Sequence, residues 1–269
     1  MKHKINTFAT LTLFLAVIFS ASADLNDGLI SAWTFDDGRA DDQINKNDGK
    51  ITKAKVVKGK FLQALEFNGK DSFVNIPHHK SMESIEKALS VSAWVNIKEF
   101  VQPNHAGIVV KGNSIGWNQN YAFRIATRDA DQLTWAVPKQ GAEGNFNTDN
   151  VAKVDEWTFV CLTADGKDIK AYVGTNGKNL KEVGTKAQDA PYQTRDGEPV
   201  EIGVGRARGG TRGNDIFFKG IIDEVYLWGG RALSEDEIQQ LADGDRPTNV
   251  VMSVDRTDKL STIWAKIKK

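Results

Sequence analysis

The sequence predicts an all-β protein of two antiparallel sheets packed as a sandwich, with one short helix near the C-terminus. Short apolar or alternating runs recur along the chain. Gly, Asn and Asp clusters such as Asn68-Gly69, Asp165-Gly166, Asn176-Gly177 and Asp196-Gly197 separate them, and these residues tolerate the positive φ of tight turns. Only one stretch carries a helix-start signal. Many strands, regular turns and almost no helix argue for a sandwich. No fixed-period repeat or low-complexity tract intervenes.

In chain order, strands are expected at 30–35, 64–67, 73–76, 89–97, 106–111, 121–127, 133–137, 157–163, 169–173, 200–204 and 220–228. In the last of these, Ile222, Glu224, Tyr226 and Trp228 alternate with Ile221, Asp223, Val225 and Leu227, which gives two faces. Asp223 then shares a face with apolar neighbours. A carboxylate there is costly without a cation or several donors, so it is the first residue to question. Ser234-Glu-Asp-Glu237 is a capping box that opens a helix ending near Gly244.

The first residues stand apart. Residues 1–4 are basic, 8–19 mostly apolar, and Ala21-Ser22-Ala23 precedes Asp24, the pattern of a secretory signal peptide cut after Ala23. The apolar stretch falls short of the roughly 20 residues of a spanning helix. The expected organisation is therefore a signal peptide at 1–23, one domain at 24–245 and a tail at 246–269. A secreted protein, extracellular or periplasmic, follows, with no membrane insertion after cleavage.

Lys+Arg 35 balance Asp+Glu 35 for a net charge of +0. That gives no electrostatic reason to expect nucleic acid or an anionic membrane as partner, and a neutral ligand fits more easily. A monomer is expected. The lone Cys161 cannot form an intrachain disulfide and reads as a small buried hydrophobe.

Several landmarks occur in a fixed order: Gly28-Leu-Ile-Ser-Ala-Trp33-Thr-Phe35-Asp36, Asn47-Asp48-Gly49, Gly59-Lys-Phe61 to Gly69, Leu89-Ser-Val-Ser92-Ala-Trp94, Trp157-Thr-Phe159, Ala171-Tyr172-Val173 and Ile222-Asp223-Glu224-Val225. This ordered set, from about Gly28 to Gly244, resembles the laminin G-like jelly rolls of the concanavalin A-like lectin and glucanase superfamily. The resemblance implies a jelly-roll topology, a helix packed on the sandwich after the last strand, and Trp33, Trp94, Trp157 and Trp228 as packing residues.

Asp36-Asp37-Gly38 to Asp41-Asp42 and Asn45-Lys-Asn47-Asp48-Gly49 put many oxygens in a short loop, the ligand type that Ca²⁺ takes six to eight of. The spacing is not that of an EF-hand, and a solvated acidic turn is the alternative. The resemblance adds a structural Ca²⁺ where the N-terminal loop meets the closing strand. It implies Asp36 and Asp223 as side-chain ligands, with Asn47 and Gly49 close to the ion and Asp48 and Asp42 as weaker candidates.

Retaining glucanases of the superfamily need two carboxylates about 5–5.5 Å apart, presented as Glu-x-Asp-x-x-Glu, and no such triad surrounds Asp223. Gly-x-Ser-x-Gly, His-Glu-x-x-His and P-loop signatures are also missing from the sequence. His78, His79 and His105 are too scattered to suggest a metal site, and the glycine-rich stretch from Gly203 leads into no helix-like pattern. Sugars are held by aromatic faces and by amide and guanidinium groups, and the loop residues of that type are Trp117, Asn118, Tyr121, Arg206 and Arg208.

The reading is a secreted, non-catalytic binding or adhesion module for glycans or glycosylated surface proteins, on a calcium-stabilised scaffold. The alternatives are a hydrolase or lyase with an unusual carboxylate pair, and a purely structural interaction module that uses the tail.

Overall fold

The computed structural model describes residues 24–101, 105–112, 121–128, 131–175, 178–206 and 215–247. The strands run β1 (Leu29–Trp33), β2 (Lys50–Thr52), β3 (Lys55–Lys58), β4 (Gln63–Asn68), β5 (Phe73–Ile76), β6 (Leu89–Glu99), β7 (Ala106–Gly112), β8 (Tyr121–Arg128) and β9 (Gln132–Ala136). They continue with β10 (Asn145–Thr148), β11 (Trp157–Ala164), β12 (Asp168–Thr175), β13 (Lys178–Ala187), β14 (Val200–Ile202), β15 (Val204–Arg206), β16 (Asp215–Phe217) and β17 (Lys219–Gly229), and helix α1 (Glu235–Asp243) closes the series. A 3₁₀ helix, Lys80–Glu86, was not foreseen; His79 caps it by accepting from the Ser81 amide. No described helix is long and apolar enough to cross a membrane.

One sheet has the order β13-β12-β11-β6-β17-β4-β3, with β1 also paired to β17; the other has the order β10-β9-β8-β7-β14-β5-β2, and β15-β16 forms a separate hairpin. Every run expected from the sequence forms a strand, although 200–204 breaks at Gly203 into β14 and β15. The strands that went unrecognised include β13, β3, β10 and β2, the outermost strands of the two sheets. Edge strands pack on fewer neighbours and tolerate polar and charged residues, so their apolar signal is faint.

The core lies between the sheets. Val91, Ala93, Val95 and Ile97 of β6 and Val160 and Leu162 of β11 meet Val74, Ile76, Ile125, Trp135, Val200 and Ile202 there. A fully buried Val, Leu or Ile contributes about 1.5–3 kcal/mol by transfer from water. The opposite face of the larger sheet is also covered: Trp94, Phe159, Cys161, Tyr226 and Trp228 pack with Ile238, Leu241 and Ala242 of α1. Of the expected packing tryptophans, Trp33 lies in the first core, while Trp94 and Trp228, with half-buried Trp157 against them, belong to the second.

Helix α1 starts where expected. Ser234 and Glu237 complete the capping box, and Arg231 bonds Glu237 from outside the helix. Leu233 N donates to Ser90 Oγ at 2.9 Å, which ties the helix start to β6.

Strand β17 departs from simple alternation. Its register with β6 passes from Asp223↔Trp94 to Tyr226↔Ser92, so two residues of β17 face one of β6, and Glu224 takes φ 51°. This is a β-bulge. It changes the phase of the strand: Ile222, Val225 and Leu227 all face the inter-sheet core, and Asp223 does not share their face. Asp223 and Glu224 turn instead toward Phe61 and Arg246.

Candidate functional site

The bulge builds a buried acidic cluster. Arg246 pairs with Asp36 through two bonds, Nη1 to Oδ2 at 2.9 Å and Nη2 to Oδ1 at 3.1 Å. The same guanidinium donates to Glu224, whose other oxygen accepts from the Tyr226 hydroxyl. The Asp36 and Glu224 side chains are each 1% exposed and Arg246 10%. Arg246 also lies over the Phe61 ring, 5.1 Å from its centroid. Asp223 Oδ2 accepts from the Phe61 amide at 3.0 Å. This approach requires Gly59, because a Cβ there would lie 2.5 Å from Asp223 Oδ2 and 2.3 Å from the Phe61 carbonyl oxygen.

Burial pushes the Asp223 carboxyl up to about 7 against the Phe61 amide and the Arg246 charge. Burial likewise pushes Glu224 up to about 8, with Arg246 opposing and Asp223 adding. These neighbours titrate as a pair. Glu224 accepts from two donors, whereas Asp223 Oδ1 is buried with no hydrogen-bond partner.

The residues expected to hold calcium do not fit an ion. Asp36 and Asp223 do stand in one cluster, but both oxygens of Asp36 take Arg246. The Asn47 backbone oxygen accepts from Trp33 Nε1 at 2.8 Å. Its side-chain amide bonds Ser31 Oγ at 2.7 Å, and Oδ1 accepts from Ser81 Oγ at 3.3 Å. Gly49 is packed against the core, where a Cβ would lie 2.6 Å from Val74 Cγ1, and its amide donates to the Ala40 carbonyl oxygen. The weaker candidates are also engaged: Asp42 accepts from the amides of Ala32, Ile44, Asn45 and Asn47, and Asp48 from that of Asp42. Six to eight free oxygens are needed. The loop's acids instead organise its own backbone.

Among the described residues, His78, Glu83 and Asp196 bring ligand atoms within 4.8 Å of one another. The sequence treated His78 as an ordinary loop histidine and did not single out Lys111, which is 0% exposed. Lys111 Nζ donates to the carbonyl oxygens of Arg195 and Glu198 at 3.0 and 2.8 Å and lies 3.2 Å from His78 Nδ1. An ammonium there makes Nδ1 an acceptor and leaves the ring proton on Nε2, 3.6 Å from Glu83. The cluster fits a hydrogen-bond network better than a metal centre. Burial brings Lys111 down to about 8.

The second surface of interest is the face of the seven-stranded sheet turned away from the core. One row of residues in register crosses it: Lys50, Asn75, Glu201, Val110, Arg124, Ala136 and Asn145. Glu201 at 1% and Arg124 at 8% exposure form its buried centre, with Asn75 Nδ2 donating to Glu201 at 3.4 Å. In the adjoining row Thr134 donates to Asn147 at 2.8 Å. Near Arg124, burial and the charges of Arg124 and Arg128 hold His105 down to about 3, so its ring is neutral.

Of the loop residues expected to bind sugar, Trp117, Asn118 and Arg208 lie outside the described residues, and Tyr121 and Arg206 are described only in their backbone. Tyr121 pairs with Gly112 at one end of β7. Arg206 belongs to the β15-β16 hairpin, which crosses the other end, where a Cβ on Gly107 would meet the Val204 carbonyl oxygen at 2.2 Å. A strand of this length separates their backbones by roughly 20 Å. Sequence reading missed the row itself because five of its seven strands contribute one polar residue each, a signal visible only once the register is known.

Two antiparallel sheets with this closing strand and helix define a concanavalin A-like sandwich. Residues 68–239 match the Laminin_G_3 model of the Concanavalin A-like lectin/glucanases superfamily, and the chain belongs to this family. Its fold is similar to domain 4 of AbnA, a GH43 extracellular arabinanase from Geobacillus stearothermophilus, solved with arabinotriose. The TM-score is 0.55 at 21% identity, over 80% of this chain and 98% of that one. It is also similar to the binding domain of Botulinum Neurotoxin DC in complex with SialylT (TM-score 0.58, 15% identity), covering 81% of this chain and 52% of that one. A third is the Ruminococcus gnavus IT-sialidase CBM40 bound to alpha2,3 sialyllactose (TM-score 0.50, 19% identity), over 66% of this chain and 95% of that one. At these identities the likeness concerns the fold. No curated protein matches the sequence.

Proposed function

We propose that this chain is a secreted, non-catalytic carbohydrate-binding module that engages glycan along the outer face of its seven-stranded sheet. The observation that carries the reading is the row from Lys50 to Asn145, in which Lys50, Asn75, Glu201, Arg124 and Asn145 set ammonium, amide, carboxylate and guanidinium groups in one line, with the apolar Val110 and Ala136 between them. Groups of this kind exchange hydrogen bonds with sugar hydroxyls. The similar solved structures, whose titles name arabinotriose, SialylT and sialyllactose, support the same reading. The basic, apolar and small-residue order of residues 1–23 supports secretion.

Glycoside hydrolysis uses two carboxyl groups that flank the scissile bond. Glu201 is the single carboxylate of the row, and Asp223 and Glu224 belong to the other sheet, sealed with Arg246. The module therefore holds its ligand without cleaving it.

The test is a panel of oligosaccharides and polysaccharides offered to the wild type and to Asn75→Ala and Glu201→Gln. Expected is retention of at least one glycan, weakened roughly tenfold or more in both variants, with no reducing sugar released. Sugar release abolished in Glu201→Gln would overturn the non-catalytic reading, and no retention of any glycan would overturn the binding reading.

A further inference from the structure

We propose that Arg246 is the built-in counter-cation of the acidic cluster, standing where resemblance to laminin G-like domains implies calcium, and that the domain folds without a divalent metal. The guanidinium meets Asp36 with two parallel bonds and reaches Glu224 with the same nitrogen that bonds Asp36 Oδ1. It thereby joins the N-terminal loop to the closing strand, the two elements that a calcium staple would join. A planar fork matched to a carboxylate holds such a site with geometry that a point charge lacks.

Three features favour a resident arginine over an ion. Its guanidinium is matched at three points, with Nη1 and Nη2 on Asp36 and Nη2 on Glu224 as well. It has a shelf, the Phe61 ring at 5.1 Å, and Phe61 is itself fixed by donating its amide to Asp223. The expected ligand Asn47, outside the cluster, is already engaged by Trp33, Ser31 and Ser81.

The proposal also moves a boundary. A domain ending at residue 245 omits Arg246, yet Arg246 is 10% exposed and Pro247 is buried. The folded unit runs at least through Pro247, and the segment after α1 is part of the scaffold.

The test is thermal unfolding of the full chain with calcium and with EDTA, for the wild type, Arg246→Met, and Arg246→Met combined with Asp36→Asn and Glu224→Gln. Expected is a wild-type melting temperature that neither calcium nor EDTA moves. Arg246→Met should melt roughly 10 °C lower, because it strands buried carboxylates, and the triple variant should regain much of that loss. A wild-type melting temperature that falls in EDTA and returns with calcium would overturn the proposal, as would an Arg246→Met variant that melts like the wild type. Should Arg246→Met fail to fold, the wild-type calcium titration by calorimetry decides: no heat of binding supports the proposal, and a saturable site contradicts it.

Discussion

Arg246 and Asp36, 210 residues apart in sequence, form a two-point ion pair that ties the segment after α1 to the loop after β1. Replacing Asp36 with Ala leaves a guanidinium inside the protein with Glu224 as its remaining carboxylate partner. Loss of one member of a buried pair costs about 3–5 kcal/mol. Denaturant unfolding should show that loss in the midpoint with an unchanged slope.

The neighbouring carboxylates give the fold a pH dependence. Burial raises Asp223 from 3.8 to about 7 and Glu224 from 4.5 to about 8, so the folded state binds more protons than the unfolded state between these limits. Stability is then fully present near pH 4 and falls as pH rises toward 8. Unfolding curves across that range should show the decline, and Asp223→Asn should flatten it.

Lys111 acts in the opposite sense over a higher window. Burial lowers it from 10.5 to about 8, so the unfolded state binds the extra proton and stability rises between these values. Lys111→Met should abolish the rise. It should also cost about 1–3 kcal/mol at pH 7, since the carbonyl oxygens of Arg195 and Glu198 lose a shared donor.

Gly59→Ala should destabilise the protein by about 1–3 kcal/mol, because the added methyl would meet Asp223 Oδ2 and the Phe61 carbonyl oxygen. A melting curve checks this, and loss of the Phe61 amide's protection from hydrogen exchange would locate the damage.

The central strands were legible because their cores are apolar: 89–97 and 157–163 became β6 and β11, buried on both faces. The capping box at Ser234 was equally plain, since its chemistry is local. Strands β13 and β3 were not, because Lys-Asn-Leu-Lys-Glu and Lys-Val-Val-Lys answer to an edge position that the sequence alone does not reveal. At the site, the sequence singled out Asp36 and Asp223 correctly as members of one cluster, and the partner it assigned them was an ion. The arginine that bonds Asp36 lies in the segment expected to be a tail. One bulged residue, Glu224, shifted the face of Asp223, and nothing in the spacing of 220–228 announces it. Lys111 hid for a similar reason: its ammonium is satisfied by the carbonyl oxygens of residues far along the chain.

The most direct test of glycan binding on the outer face is amide chemical-shift mapping of the isotope-labelled protein against a retained oligosaccharide. The account predicts shifts concentrated at Asn75, Glu201, Arg124, Thr134 and Asn147, on neighbouring strands of one sheet face. Shifts confined to the larger sheet and α1, with that row unmoved, would contradict it.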